Sequence, residues 1–114
     1  MIRFAQAVPA AIVLGLLASH APARAEEPTA VELTIKDHRF MPAEIHVPAG
    51  KPTILTVQNQ DATAEEFDSS ALKTEKVITG GGTATVRLRP LGPGRYPFIG
   101  EYHADTAQGV VIAE

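Results

Sequence analysis

The stretch PGRYPFIGEYHADTAQGVV, residues 93–111, contains the pattern from which the fold prediction starts. A Pro-Gly turn signal precedes the apolar run from Tyr96 to Ile99, and a second short apolar run covers residues 110–112. The polar segment EYHAD, residues 101–105, lies between them. Aromatic and β-branched runs bounded by Gly and Pro are typical of strands. We therefore predict two closing strands joined by a polar loop.

The same kind of pattern recurs towards the amino terminus. Apolar residues occupy every second position in residues 31–36 and 84–89, and residues 45–47 and 53–58 are also strand-like. This alternation places one face of a strand on a core and the other in solvent. Residues 65–73 look less regular, and no segment has a helical period. Short strands separated by Gly- and Pro-containing turns predict an all-β sandwich or small barrel.

The first 25 residues have the features of a secretory signal peptide. Arg3 precedes an apolar run from Ala5 to Ala18, and Ala23-Arg24-Ala25 is a small-residue cleavage signal. The run is shorter than the ~20 residues that span a membrane easily. We predict a signal peptide at 1–25, one mature domain at 26–114 without a transmembrane segment, and a periplasmic location.

Composition excludes several classes of function. The chain of 114 residues has no cysteine, so neither a disulfide nor a thiolate is available. Its net charge is −3, and cleavage after residue 25 would remove two basic residues and no acidic one. Nucleic-acid binding needs clustered Lys and Arg, so we expect no nucleic-acid partner for this acidic chain. No Gly-x-Ser-x-Gly motif or phosphate loop is present, so we predict no catalytic residues, although a redox accessory role stays open.

Three separated blocks carry a family resemblance: Phe40-x-Pro42-x-x-Ile45-x-Val47-x-x-Gly50, Val57-x-Asn59-Gln60-Asp61 continuing to Phe67, and Pro93-Gly94-x-Tyr96-x-Phe98-x-Gly100-Glu101-x-His103 ending in Gly109-x-Val111. In this order and spacing they resemble the cupredoxin family, over nearly all of the chain from residue 31. The resemblance implies a Greek-key β-sandwich with a metal site at one end.

The usual copper ligands of that family are mostly missing from the chain. By the resemblance, the first His position falls at Glu65, the Cys at Gly100, the last-loop His at His103 and the Met at about Ala107. A type 1 blue copper centre depends on the Cys sulfur. We therefore exclude blue copper for this chain.

A closer resemblance is to EfeO-type cupredoxin-like domains, which occur in bacterial iron-uptake systems. Their first His position also tends to be replaced and followed by Glu, as at Glu66. This likeness implies a periplasmic accessory that binds or helps oxidise iron. Its partner would be a membrane iron permease or another periplasmic iron-uptake component.

The candidate metal ligands come from two loops that meet at one end of such a sandwich. Glu65 and Glu66 are adjacent and face opposite ways in an extended segment, so only one of them is expected to face a metal. Glu101 and His103 share a face if their segment is extended. Asp105 could bind the metal or orient His103. Oxygen and nitrogen ligands suit iron, manganese, zinc or Cu(II), and we expect iron or copper as the cofactor.

Two further residues are secondary candidates. His38 and Met41 lie in the loop that approaches the site in cupredoxins. We expect His38 to act mainly as a loop residue and Met41 as hydrophobic filling beside Phe40. His46 alternates with Ile45 and is expected on the surface.

Three hypotheses for the function follow. The first is a metal-binding accessory of iron uptake. The second is a metal-free interaction module that docks on another periplasmic protein. The third is a protein that handles Cu(II).

Overall fold

The computed structural model describes residues 27–114 continuously and, ahead of them, only residues 3, 5, 7, 9–12 and 15. The predicted cleavage site therefore lies outside the described residues. Among those residues, no helix has the length and apolar character needed to cross a membrane.

Residues 27–114 form nine strands and one short 3-10 turn, so the all-β prediction is confirmed. The strands are β1 Thr29–Lys36, β2 Arg39–Met41, β3 Glu44–Val47, β4 Thr53–Asn59, β5 Glu65–Ser69, β6 Thr74–Ile78, β7 Thr83–Leu88, β8 Gly94–Gly100 and β9 Gln108–Ala113; the turn is Glu101–His103. One sheet has the order β2-β1-β4-β7, and the other has the order β3-β9-β8-β5-β6.

The inward faces of the two sheets form one hydrophobic core. The alternation seen in the sequence accounts for it, since every second residue of a strand points to the same face. In β4, for example, Leu55 and Val57 are fully buried. Three aromatic rings, Phe40, Phe67 and Phe98, contact one another near the middle of the core, with centroids 4.8–6.1 Å apart.

Three loops come together at one end of the sandwich. The β1–β2 turn, residues 37–38, is hydrogen-bonded to the β4–β5 loop through Asp61. The segment between β8 and β9 joins them, because the Thr106 hydroxyl donates to the His38 carbonyl. The fold thus places the two predicted ligand loops side by side, together with the turn that contains His38.

The expectation of an irregular segment at residues 65–73 is wrong for its first half. β5 pairs with both β6 and β8. Its buried residues do alternate, but Glu65 and Ser69 occupy two of the three inward positions beside Phe67. Because polar residues stand where apolar ones are expected, the strand period was hidden in the sequence.

Candidate metal centre

Glu65, the first residue of β5, has a buried and fully hydrogen-bonded carboxylate. Its side chain is 1% exposed. Oε1 accepts hydrogen bonds from the backbone N–H groups of Tyr102 at 2.9 Å and Glu66 at 3.0 Å. Oε2 lies 2.5 Å from Nδ1 of His103. A buried carboxylate is costly unless it is paired, and these contacts supply the pairing. Of the adjacent glutamates, Glu65 is therefore the one that contacts His103.

His103 ends the 3-10 turn that follows β8, and its side chain is 25% exposed. Its carbonyl accepts from the N–H groups of Thr106 at 3.1 Å and Ala107 at 2.8 Å, which fixes the loop around it. Since a carboxylate can only accept, Nδ1 donates in this contact, and in the tautomer with its proton on Nδ1 the other nitrogen, Nε2, has a free lone pair. No hydrogen bond among residues 27–114 involves Nε2. That nitrogen is available to a ligand.

The expectation that Glu101 and His103 share a face is wrong, because residues 101–103 form a tight turn and not an extended segment. His103 contacts Glu65, whereas Glu101 contacts Asp68 on β5. The two residues therefore belong to different clusters.

The space that a cysteine would need at position 100 is already filled. A Cβ atom added to Gly100 would lie 2.6 Å from Cβ of Ala107 and 2.6 Å from Cδ of Glu65. Such distances are well inside van der Waals contact. A copper-binding thiolate therefore does not fit here, and the exclusion of blue copper agrees with the packing as well as with the absent cysteine.

His38 is part of this end of the molecule. Its imidazole stacks on that of His103, with centroids 3.6 Å apart and planes inclined by 12°. The two carboxylate oxygens of Asp61 accept from the N–H groups of Asp37 and His38, at 2.8 and 3.0 Å. These bonds, that to His38 foremost, lower the pKa of the Asp61 carboxyl. Sequence reasoning did not single out Asp61 for this role; its position in the Asn-x-Asp loop was the available signal.

Glu66 and Glu101 lie in a second, more exposed group of carboxylates, which we term the acidic cluster: Glu66, Asp68, Glu75 and Glu101. Single oxygens of Glu66, Asp68 and Glu75 lie within 4.8 Å of one another, close enough to hold a cation. A hydrogen bond with Asp68, together with its charge, raises the pKa of Glu101. Asp68 and Glu75 were not predicted; the cross-strand pairing of β5 with β6 brings them together.

Within residues 27–114, the three residues left to place, Asp105, Met41 and His46, make no hydrogen bond with either group. Asp105 is exposed, and no hydrogen bond or ion pair among residues 27–114 involves its side chain. Met41 is 48% exposed, so the expectation that it fills the core is wrong. His46 is on the surface, as expected, where its ring nitrogens contact Glu114 at 2.7 Å and Glu44 at 3.0 Å.

Comparison with known proteins agrees with the fold. A family model described as a cupredoxin-like domain matches residues 8–113. The chain belongs to the cupredoxin-like family. An uncharacterized protein of Rickettsia prowazekii (strain Madrid E), RP394, is 43% identical over 82 residues, which are 72% of this chain and 66% of that protein. The match thus spans just under two thirds of that relative's length.

Solved structures of copper proteins share this cupredoxin-like fold at low sequence identity. Auracyanin A, a blue copper protein from Chloroflexus aurantiacus, superposes with a TM-score of 0.66 at 17% identity, covering 77% of this chain and 100% of that chain. The metal-binding domain of the Streptococcus pneumoniae D39 Cu(I)-exporting ATPase CopA gives 0.64 at 16%, covering 75% and 84%. Amicyanin from Paracoccus versutus gives 0.58 at 17%, covering 83% and 86%.

Proposed function

We propose that this cupredoxin-like protein is a periplasmic metal-binding accessory of high-affinity iron uptake, which binds or helps oxidise iron and passes it to a membrane permease. The observation that carries the proposal is the buried Glu65 carboxylate on Nδ1 of His103. The EfeO-type resemblance of the sequence directs the proposal to iron.

A histidine fixed in this way is characteristic of metal sites. Ligating histidines commonly donate their second ring N–H to a carboxylate, which sets the tautomer and raises the basicity of the other nitrogen. Here that leaves Nε2 of His103 as the ligand atom. Asp105, two residues further along the same loop, is the proposed oxygen ligand, and water would complete the coordination.

The donor set favours a hard or borderline cation. Nitrogen and oxygen ligands suit iron, whereas Cu(I) is selected by thiolate and thioether groups. A site with few protein ligands also releases its ion readily, as delivery to a permease requires. The carboxylates of the acidic cluster add negative charge near His103, and such fields attract cations to a site.

Calorimetry on the untagged mature chain would test the proposal, with Fe(II) under anaerobic conditions and with Cu(II), Zn(II) and Mn(II). We expect binding tighter than millimolar for Fe(II) and loss of that binding in His103→Ala. His46→Ala is the matched control, because His46 also contacts carboxylates but lies near the far end of β9. Absence of binding for all four metals would contradict the proposal.

The main alternative is a metal-free interaction module. In its favour, Glu65 is fully hydrogen-bonded by the protein itself, so the site is satisfied without an ion. A variant with Glu101→Ala and His103→Ala distinguishes the two functions. Unchanged iron uptake with a stable protein would favour docking, and loss of both uptake and metal binding would favour the metal site.

Cu(II) handling is the third candidate, and the copper proteins among the structural neighbours support it. Tighter binding of Cu(II) than of iron would not decide the matter, because Cu(II) binds most such sites best. The neighbouring genes discriminate better. A permease with Glu-rich membrane motifs favours iron, and a copper ATPase favours copper.

A further inference from the structure

We infer that His38 is a positioning residue that stacks on the His103 ring and is not a second metal ligand, and that Asp61 holds it in the stack. The inference rests on the proposed metal site at His103.

The stacked geometry separates the two rings as donors. A metal bound to imidazole lies in the plane of the ring, along the nitrogen lone pair. The rings of His38 and His103 are nearly parallel, with centroids 3.6 Å apart, so their lone pairs lie in two separate planes. A metal ion that lies about 2.0–2.1 Å from a ring nitrogen, the usual Zn–N distance, cannot lie in both planes. His38 would have to leave the stack to become a ligand.

The backbone around His38 is held on both sides. Asp37 and His38 have φ angles of 51° and 56°, in the left-handed region that non-glycine residues rarely adopt. Asp61 accepts from both of their N–H groups, and Thr106 donates to the His38 carbonyl at 2.7 Å. The turn thus places the imidazole against His103 through contacts with two different loops.

Asp61 is itself connected to the core. Its N–H donates to Oδ1 of the buried Asn59 at 3.0 Å, and the amide of Asn59 donates to the carbonyls of Thr63 and Ile78. A chain of hydrogen bonds therefore runs from the core to the backbone N–H of His38. The hydrogen bond to Glu65 fixes where Nδ1 of His103 lies, and stacking on His38 fixes the orientation of the ring plane. Together they set the direction of Nε2.

Two variants of His38 distinguish a stacking role from a role as metal ligand. His38→Phe keeps an aromatic ring but has no nitrogen, whereas His38→Ala removes both. We expect His38→Phe to keep the Fe(II) and Cu(II) dissociation constants within about twofold, and His38→Ala to weaken them by roughly 10-fold, as for other groups that orient a ligand. If His38→Phe lost as much affinity as His38→Ala, the inference would be overturned.

The role of Asp61 can be tested without any metal. In the metal-free protein, the ring current of His38 shifts the ring protons of His103, and this shift reports the stack in an NMR spectrum. We expect Asp61→Ala to reduce it and Asp61→Asn, which keeps one acceptor, to reduce it less. Asp37→Asn, in the same turn, is the control and should leave it unchanged.

An unchanged His103 shift in a folded Asp61→Ala protein would contradict the role of Asp61. If that variant fails to fold, the intermediate shift expected for Asp61→Asn decides the point. Absence of metal binding by the wild type would refute the proposed function, and the metal-free NMR comparison would still report whether Asp61 holds the stack.

Discussion

Glu65 is a carboxylate in a position where burial by itself favours an apolar side chain. Its retention depends on three contacts, with the N–H groups of Glu66 and Tyr102 and with the ring of His103. All three groups lose their hydrogen-bond acceptor if the carboxylate is removed. The residue therefore supports the loop after β8 and determines the tautomer of His103 at the same time.

Two substitutions of Glu65 should separate these roles. Glu65→Ala leaves two partly buried N–H groups without their acceptor and a gap in the core, and should lower the free energy of unfolding by roughly 2–4 kcal/mol. Glu65→Gln keeps an acceptor for both N–H groups and should cost about 1 kcal/mol. Its amide would donate to Nδ1, so the ring proton moves to Nε2 and metal binding should be lost. Urea unfolding and calorimetry measure the two effects, and a Glu65→Gln protein that bound Fe(II) normally would contradict the assignment.

Gly100 should tolerate no larger side chain, because neither neighbour can move aside. Cβ of Ala107 is fixed to its backbone, and Glu65 is held by its hydrogen bonds. Gly100→Ala should lower the free energy of unfolding by about 1–3 kcal/mol, the usual cost of overpacking. Gly92→Ala is the control, since its Cβ would meet only the Tyr96 hydroxyl at 3.8 Å. Equal stabilities of the two variants in thermal unfolding would disprove the packing argument.

For single residues, the sequence predicted which side chains are candidates for the site but not which of them contact one another. The family resemblance pointed to both Glu65 and Glu66, and only the phase of β5 decides between them. The turn at residues 101–103 could not be predicted from its own residues, because the N–H of Tyr102 within it donates to Oε1 of Glu65, 37 residues away in the chain. Asp61 acts through the backbone of a turn 23 residues away, which no local pattern reveals.

Among the elements of residues 27–114, β3 is an edge strand that pairs only with β9. His46 on β3 links it to the end of β9, since one ring nitrogen contacts Glu114 and the other contacts Glu44. Hydrogen bonds of its ring to the carboxylates of Glu114, the larger effect, and of Glu44 raise the pKa of His46 above its ordinary value. The folded protein therefore binds this proton more tightly than the unfolded chain does.

The raised pKa determines how the stability that His46 contributes changes with pH. The stabilisation is fully present below the ordinary histidine pKa and is lost as pH rises through the raised pKa of the folded state. We expect the difference in melting temperature between wild type and His46→Gln to shrink over that interval. An NMR titration of His46 checks the cause, and a His46 pKa at or below its ordinary value would refute it.

At the scale of the whole molecule, the sandwich was predictable because most strands show clean alternation of buried and exposed residues. The mixed pairing was not predicted from the pattern: β1 runs parallel to β4, and β3 runs parallel to β9. Partners so distant in sequence are chosen by packing of the two sheets, and a strand's own residues do not encode them.

The position of β9 between β3 and β8 makes the second sheet depend on it. A chain ending at residue 107 would leave β3 without a neighbour and expose the core around Phe98. We expect this truncated protein to lose its β-sheet circular dichroism and to unfold without a cooperative transition. A chain starting at residue 27 is the control and should fold normally. Native-like spectra from the truncated chain would show that β9 is dispensable.

The same central strand has a consequence for biosynthesis. β9 follows all the other strands in the chain, so the ribosome must complete them before the second sheet can close. Until then, the edges of β3 and β8 that later pair with β9 have no partner. The second sheet therefore closes only after its last strand has been made, and until then these open edges are places where a chaperone or another chain can pair.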